Sequence, residues 1–309
     1  MLNKKTILAL LISAAATSAM AAGSETTILQ TGSYQDATVN QSGASHNAEV
    51  TQQGAQGNTA LVDQTGTKNT TAIFQSGEGN EATSNQRGIN SSSVVNQIGN
   101  LNVVDVVLQA SRNNESSIEQ RGDLNEARVV QGGGGDHFSD LFQSGNSNRA
   151  MLAQGGNFQS AFVEQTGTDN YVRSGQYGTR GTLDVIQSGD MNSATVSQTG
   201  RDQGAFVQQD GVNNDVTLTQ TGDLAEAEIV QFGQDNSAEF VQAGRDNYAQ
   251  SYQDGNDNLL DVTQSGAQND AVISQAGMDN SAVLLQSSMG DYAFITQSGN
   301  GNMADVTQR

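Results

Sequence analysis

The sequence predicts an all-β fold, a repeat β-solenoid in which strand-turn-strand rungs stack as a cross-β structure with two facing parallel sheets. Three observations support this prediction. Twenty-six glutamines recur from Gln30 to Gln308 at intervals of 11 or, three times, 12 residues. Apolar and polar residues alternate between them, and a glycine follows two positions after nearly every glutamine. Such repetition is typical of one small unit stacked many times rather than of a single globular core.

Each repeat begins at a glutamine, which we number as position zero. Asparagine at position five, alanine at seven and Val, Ile, Leu or Phe at nine are frequent. These positions lie on one face of an extended chain together with the next glutamine, while the residues between them are polar. A helix is disfavoured because each glycine would cost it about 0.8–1 kcal/mol relative to alanine. We therefore predict one strand of about five or six residues in each repeat.

Glycine and asparagine mark the turn after each strand, because both residues tolerate positive φ angles. Two repeats complete one rung, and about twelve rungs spaced by about 4.8 Å give a rod on the order of 60 Å long. The glycines assigned to the turns include Gly32, Gly43, Gly189, Gly266 and Gly299.

Amide side chains on the inner face predict ladders along the stack. An isolated buried amide costs about 1–3 kcal/mol when it is unpaired, whereas amides at equivalent places in successive rungs satisfy one another. This explains why glutamine and asparagine share a face with alanine and valine. The amides that we assign to ladders and to assembly are Gln30, Gln41, Asn69, Gln75, Asn80, Gln187, Asn192, Gln264, Asn269, Gln275, Asn280, Gln297, Asn302 and Gln308.

The chain divides into three segments. Residues 1–21 are predicted to be a secretory signal peptide, with Lys4 and Lys5 at the start, a short apolar stretch and a small-residue cleavage site. Residues 22–29 form a short lead, and residues 30–309 form the tandem 11-residue half-repeats. A membrane anchor needs about 20 apolar residues, so we expect no membrane span in the mature chain. With no capping segment evident after Gln308, both ends of the stack are expected to expose strand edges.

The composition limits the function classes. The chain has no cysteine and no proline, and its 33 acidic residues outnumber 13 basic ones. Disulfides therefore do not hold it together, and proline, which removes a ladder hydrogen bond, is excluded. An acidic surface argues against nucleic acid as a partner. Outward carboxylates should slow edge-to-edge association at neutral pH, so we expect faster assembly in acid.

The repeats are too uniform to predict a catalytic, metal-binding or cofactor-binding site. The histidines His46 and His137 lie far apart, and His46 replaces the turn asparagine, which predicts an exposed side chain. No serine or aspartate has a regular histidine partner for a nucleophilic triad. The run Gly132–Gly135 lacks the lysine of a phosphate-binding loop. We therefore expect no enzyme activity and no cofactor.

The repeat resembles a known family. Gln264–Gln275 shows the full pattern Gln-x-Gly-x-x-Asn-x-Ala-x-x-x-Gln, and Gln187–Gln198 shows it again. This pattern closely resembles the curlin repeat of bacterial curli subunits over residues 30–308. The resemblance implies a structural subunit of extracellular curli-type amyloid fibres, which self-assembles by templated strand addition and supports cell adhesion and the biofilm matrix.

The resemblance also implies partners and a location. It implies a homopolymer with a nucleator subunit and an outer-membrane secretion pore as partners. It implies secretion through the periplasm of a Gram-negative bacterium to a pilus-like surface fibre. The long, regular and acidic array resembles the major subunit, whereas the ending Val306–Arg309 is similar to the minor, nucleating subunit.

Two rival functions stay open from the residues. One is a soluble acidic β-solenoid surface adhesin, or a calcium-binding β-roll, that does not polymerise. Calcium rolls repeat every nine residues, and the spacing here is 11. The other is an enzyme on a β-helix, such as a polysaccharide lyase, which would have longer and irregular coils.

Overall fold

The computed structural model describes residues 22–309, which form two parallel sheets of 13 strands each. Consecutive strands alternate between the sheets, and we call these the odd sheet and the even sheet after the strand numbers. A rung is one odd strand with the even strand that follows it, so rung 1 is β1 with β2 and rung 13 is β25 with β26. The predicted all-β solenoid with two facing parallel sheets is confirmed. The predicted signal peptide, residues 1–21, lies outside the described residues.

The odd sheet contains the strands β1 Glu25–Ser33, β3 Asn47–Gln56, β5 Thr70–Ser76, β7 Ser92–Ile98, β9 Glu115–Asp123, β11 Phe138–Asn146, β13 Ser160–Thr168, β15 Thr182–Asp190, β17 Gly204–Val212, β19 Glu226–Gln234, β21 Tyr248–Asn256, β23 Asp270–Met278 and β25 Tyr292–Asn300. The even sheet contains β2 Asp36–Ala44, β4 Thr59–Thr67, β6 Glu81–Ile89, β8 Val103–Arg112, β10 Glu126–Gly135, β12 Arg149–Asn157, β14 Tyr171–Thr179, β16 Ser193–Arg201, β18 Asp215–Asp223, β20 Ser237–Arg245, β22 Leu259–Ala267, β24 Ser281–Gln286 and β26 Met303–Gln308. Within residues 22–309 no helix occurs, and none is therefore long and apolar enough to cross a membrane.

Most strands are longer than the five or six residues that we predicted. A typical strand has nine residues, because pairing continues through the Gln-x-Gly segment instead of stopping before it. In β15 and β17, for example, Gln187 pairs with Gln209 and Gly189 with Gly211 in an unbroken register. The strand therefore ends two residues before the next buried asparagine.

The turns differ in one respect from the prediction. Gly189 has a positive φ of 103°, as expected, but the second residue with a positive φ is the one that precedes the asparagine. Met191, at φ 57°, occupies that place before Asn192, and Asp279, at φ 56°, occupies it before Asn280. The asparagine itself is absent from the positive-φ residues, so its selection has another cause.

The core is a thin layer between the sheets. Positions seven and nine of each strand point inward, so that Ala194 and Val196 in β16 face the opposite sheet and are buried. Fully burying a valine contributes roughly 1.5 kcal/mol or more. Phe240 is the largest of the fully buried side chains. The same layer continues without interruption along the described rungs.

Candidate functional site

Position zero of the odd strands forms a continuous column, which we call the odd glutamine column. In it, each amide Nε2 donates to the Oε1 of the glutamine one rung further along, over 2.8–3.0 Å. The same nitrogen also donates to a backbone carbonyl of the opposite sheet, in the preceding rung, as Gln187 in rung 8 does to Tyr171 in rung 7 over 3.1 Å. The column places the predicted residues Gln30, Gln75, Gln187, Gln275 and Gln297 in one line.

The even glutamine column follows the same pattern from Gln41 through Gln264 to Gln308, but it is interrupted at rung 4. There the register aligns Leu108, and not Gln109, with Gln86 and Gln131. Leu108 is fully buried, whereas Gln109 is exposed. The prediction that every glutamine of the series occupies the same place is therefore wrong at Gln109. A 12-residue interval ends there, and the strand reaches its inward position one residue earlier.

The interruption leaves an unsatisfied amide. Gln131 Oε1 is buried and has no hydrogen-bond partner, because a leucine methyl group stands where the preceding glutamine would donate. On the other side of the gap, Gln86 Nε2 donates to the carbonyl oxygens of Thr70 and Ser91. Leu108 therefore removes one link from the column and isolates one acceptor.

The turns from odd to even strands carry a third column, which we call the asparagine column. It consists of Asn58, Asn80, Asn102, Asn125, Asn148, Asn170, Asn192, Asn214, Asn236, Asn258, Asn280 and Asn302. Asn192 shows its geometry: the backbone N and Nδ2 both donate to Oδ1 of Asn170, over 3.0 and 3.2 Å. Its Nδ2 also reaches the Gly211 carbonyl in the next rung over 3.1 Å. Each asparagine thus satisfies backbone groups that a turn leaves unpaired.

The turns from even to odd strands carry a fourth column of varied composition, which we call the mixed column. Its members are Ser24, His46, Asn69, Ser91, Asn114, His137, Gln159, Gly181, Gln203, Ala225, Asn247, Asn269 and Asp291. The predicted ladder residues Asn69 and Asn269 belong here, and Asn69 Nδ2 donates to the carbonyls of Thr65 and Gly88. The two sides of the solenoid therefore differ, because the asparagine column is uniform in residue type and the mixed column is not.

The prediction that His46 is an exposed turn residue is wrong. Its side chain is 1% exposed, with Nδ1 accepting from the backbone N of Asn69 over 3.3 Å and Nε2 lying 3.2 Å from the Ser42 carbonyl. Position five points into the solenoid at both kinds of turn, so the imidazole takes the place and the contacts of an asparagine. The alternation of buried and exposed residues along the strand includes position five, so it could have predicted the burial of His46.

His137 is also buried in the mixed column, and its Nε2 has no hydrogen-bond partner. Burial lowers the pKa of this imidazole, and the nearby carbonyls of Gly132 and Gly156 and the carboxylate of Asp136 offset only part of that effect. Below a pH of about 6.5 the unfolded chain takes up a proton at this residue more readily than the folded chain. Stability contributed by neutral His137 is therefore present above that pH and lost as the pH falls.

We expect the variant His137→Asn to lose less stability than the unmodified chain between pH 7 and pH 5, because asparagine has no proton to gain. The measurement is the guanidinium midpoint at both pH values, with pH 8 as the reference at which the imidazole is neutral in both states. All carboxylates are common to the two proteins, so the difference isolates His137. Parallel pH profiles would contradict this assignment.

Position two of the repeats brings glycines into close contact along the stack. A Cβ on Gly189 would overlap the carbonyl oxygen of Gly211 in the next rung, and similar overlaps occur at Gly32, Gly43 and Gly266. Gly299, in rung 13, has no following rung within the described residues, and its ideal Cβ meets only Asn302 Nδ2, at 3.7 Å. Glycine is therefore required at Gly32, Gly43, Gly189 and Gly266, where a carbonyl of the next rung lies against this corner, whereas Ser111 takes the place of glycine in rung 4.

Apart from Asp291 in the mixed column, the aspartates, glutamates, lysines and arginines of residues 22–309 lie outside these columns. Arg180 pairs with Asp202 at exposed turns, and Arg201 pairs with Asp223 over 2.6 Å at exposed strand ends. The hydrogen bond from each arginine lowers the pKa of its aspartate. Exposed pairs of this kind contribute little to stability, because water and salt screen them. No group of three or more His, Asp or Glu side chains in residues 22–309 is arranged to hold a metal ion.

These features define a class of protein: a repeat β-solenoid whose ordered polar groups serve stacking of identical layers. The family model of the curlin associated repeat matches residues 22–54, 145–178, 178–211, 189–222, 211–239, 255–287 and 279–309. The matches cover more than half of the chain, and the chain belongs to the curlin family. The family and the fold point to a structural, non-enzymatic protein. The comparison with curated proteins finds no match.

Proposed function

We propose that this chain is the structural subunit of a secreted, extracellular curli-type amyloid fibre that grows by templated addition of identical solenoids end to end. In such a fibre, rung 13 of one molecule lies against rung 1 of the next. Cell adhesion and support of a biofilm matrix follow as the roles of the fibre. The proposal includes two partners: a nucleating subunit that starts fibre growth, and an outer-membrane pore through which the chain is exported. The observation that carries it is the fixed direction of the amide columns.

The two glutamine columns point the same way. Gln30 Nε2 donates to Gln52 and Gln41 Nε2 donates to Gln64, so donors face rung 13 and acceptors face rung 1 throughout. In rung 13, Gln308 Nε2 donates only across the rung, to the Tyr292 carbonyl, which leaves its second N–H directed along the column. That N–H is complementary to the Oε1 of Gln41 in a second molecule.

The asparagine column has the opposite direction. Asn302 donates back to Oδ1 of Asn280, so its own Oδ1 acceptor faces away from rung 12. At the other end, Gln35 occupies the corresponding place in rung 1 and its Oε1 accepts from the backbone N of Asn58. Gln35 Nε2 is buried and has no partner. Rung 1 therefore offers a donor where rung 13 offers an acceptor.

Three columns with these directions fit only when unlike ends meet. Rung 13 against rung 1 pairs the donors of these columns with acceptors, whereas in the glutamine columns two rung-13 ends bring donor against donor and two rung-1 ends bring acceptor against acceptor. Unpaired buried amides cost about 1–3 kcal/mol each, so the like-ended arrangement is disfavoured by several such groups. Backbone groups of the outer strands add to this, because strand edges pair readily with another chain.

We expect alanine at the end-rung amides to slow fibre elongation by about tenfold or more, since loss of about 1.4 kcal/mol per added molecule corresponds to tenfold. The altered residues are Gln30, Gln41, Gln297, Asn302 and Gln308. Elongation is followed by thioflavin fluorescence on preformed seeds and by electron microscopy. A matched control carries alanine at five exposed amides outside the positive-φ turn positions, namely Gln53, Gln56, Gln109, Asn157 and Gln234.

The direction of growth can be tested by substituting the amides of only one of the two end rungs. A variant altered only in rung 13 retains a normal rung 1, so it should join a growing rung-13 end and then block it at substoichiometric amounts. Equal elongation by the five-residue variant and its control would refute templating by these groups. A purified chain that stays soluble and monomeric would instead favour the non-polymerising adhesin.

A further inference from the structure

The outer faces of the two sheets carry matching patterns at the centre of the solenoid. On the even sheet, position eight of rungs 5, 6 and 7 reads Arg128, Met151 and Arg173, in adjacent register. On the odd sheet, the equivalent places of rungs 6, 7 and 8 hold Asp140, Phe162 and Asp184, also in adjacent register; Asp140 is nine residues after its glutamine because that repeat has 12 residues. Each pattern places two like charges about 9.6 Å apart, at two rung spacings, with one apolar side chain between them.

We propose that these faces are a lateral docking surface: the even face of one solenoid lies on the odd face of a second copy, parallel to it and displaced by one rung. Arg128 then meets Asp140, Met151 meets Phe162 and Arg173 meets Asp184. This inference goes beyond end-to-end growth, because it concerns the sides of the molecule and would pair two filaments or two single solenoids alike.

The neighbouring positions fit the same displacement. Each rung turns back at a short turn, so strands of the two sheets run in opposite directions and position six of one face meets position ten of the other. Arg149, at position six of rung 6, then meets Glu164, at position ten of rung 7. One rung further along, Tyr171 meets Ile186, which brings two apolar side chains together. Opposite charges and apolar groups are thus aligned over three rungs.

The odd face has a recess where Arg173 would enter. The recess has a volume of about 540 Å³ and is lined by Phe162, Asp184 and Phe206, with Gly204 leaving a gap at its side. Asp184 Oδ1 is shielded from water and accepts no hydrogen bond. Burial raises the pKa of this carboxyl, and repulsion from Glu164 adds to that effect. A carboxylate in this position is stabilised by a cation.

A guanidinium group suits the recess. It binds a carboxylate through two parallel N–H groups, and its flat face stacks favourably on phenylalanine rings. Arg173 is exposed, and the ion pairs formed within residues 22–309 do not include it. Arg128 and Arg149 have partners on their own face, Asp105 at 3.2 Å and Glu126 at 3.3 Å, but exposed pairs exchange at little cost.

The experiment reverses the charges on each face. The variants Arg128→Asp with Arg173→Asp, and Asp140→Arg with Asp184→Arg, should each lower the fraction of laterally paired filaments at least fivefold at 0.15 M salt. The four changes together restore every pair with opposite sign, so pairing should return to within twofold of the unmodified protein. Mass per length in electron microscopy gives the readout. The control Arg87→Asp with Arg112→Asp changes the net charge by as much as the first variant and with the same sign, but lies outside the docking surface.

Salt supplies a second test, because the Debye length falls from about 10 Å at 0.1 M to about 3 Å at 1 M, and pairing should fall with it. Single filaments in the unmodified protein, pairing unaffected by either reversal, or failure of the fourfold variant to recover would overturn the proposal. Filament length is scored separately. If no filaments form, the end-to-end proposal fails, and sedimentation velocity of the same variants tests lateral docking as a dimer of solenoids.

Discussion

Replacing Gly189 by alanine is expected to cost about 3 kcal/mol or more of stability and to disrupt stacking at rung 8. Two effects add. The added Cβ overlaps the carbonyl oxygen of Gly211, and the backbone φ of 103° is one that residues with a side chain rarely adopt. Overpacking costs about 1–3 kcal/mol, and a strained backbone conformation costs about 1–3 kcal/mol more. The guanidinium midpoint, followed by circular dichroism, measures the loss.

Gly204 provides the matched control in the same array. It lies at an outward position, and a Cβ there would meet nothing closer than Glu226 Cγ and Thr182 Oγ1, both at 3.6 Å. Gly204→Ala should therefore be neutral or slightly stabilising, since alanine lowers the entropy of the unfolded chain. Equal destabilisation by the two substitutions would show that glycine is needed for general flexibility rather than for close stacking.

Replacing Gln187 by leucine should cost roughly 2–4 kcal/mol, although the two side chains are similar in size. Gln187 accepts from Gln165 over 2.9 Å and donates to Gln209 over 2.8 Å. Leucine leaves the donor of one and the acceptor of the other without a ladder partner, at about 1–3 kcal/mol per buried group. The loss should appear in the denaturation midpoint and as faster amide hydrogen exchange in rungs 7 to 9.

The reciprocal substitution can be made at Leu108, where the even glutamine column is interrupted. Leu108→Gln supplies the missing link between Gln86 and Gln131 and gives the isolated Gln131 Oε1 a donor. We expect a gain of roughly 1–3 kcal/mol, opposite in sign to the change at Gln187. Destabilisation by both substitutions would indicate that packing volume, and not continuity of the amides, sets the stability of these positions.

The repeat period is sufficient to predict much of this fold from the sequence. The 11-residue spacing and the alternation of Ala and Val with polar residues led to two facing parallel sheets. Isolated exceptions to the repeat were harder to predict. Gln109 fits the series of glutamines within one residue, yet pairing with both neighbouring strands selects Leu108 for the inward place. Spacing alone does not reveal this, because an extra residue can be accommodated before or after the glutamine.

The ladder residues were predictable in type but not in arrangement. The sequence indicated that Asn69 and Asn80 stack, and the structure places them on opposite sides of the solenoid, in the mixed and the asparagine columns. Which side is uniform depends on the alternation of sheets, and this becomes visible only when every second repeat is compared. The direction of each column could not be predicted, because glutamine and asparagine carry the same donor and acceptor and differ only in length.

The opposed directions of the columns also have an electrical consequence. Carbonyl dipoles of the glutamines point towards rung 1, and those of the asparagine column point towards rung 13. The asparagine column opposes two glutamine columns, so the fields cancel in part and a lengthening array accumulates a smaller dipole than fully aligned units, such as the peptide groups of a helix, would build. The attraction felt by an incoming molecule then comes chiefly from the last layer, and it changes little as the filament lengthens.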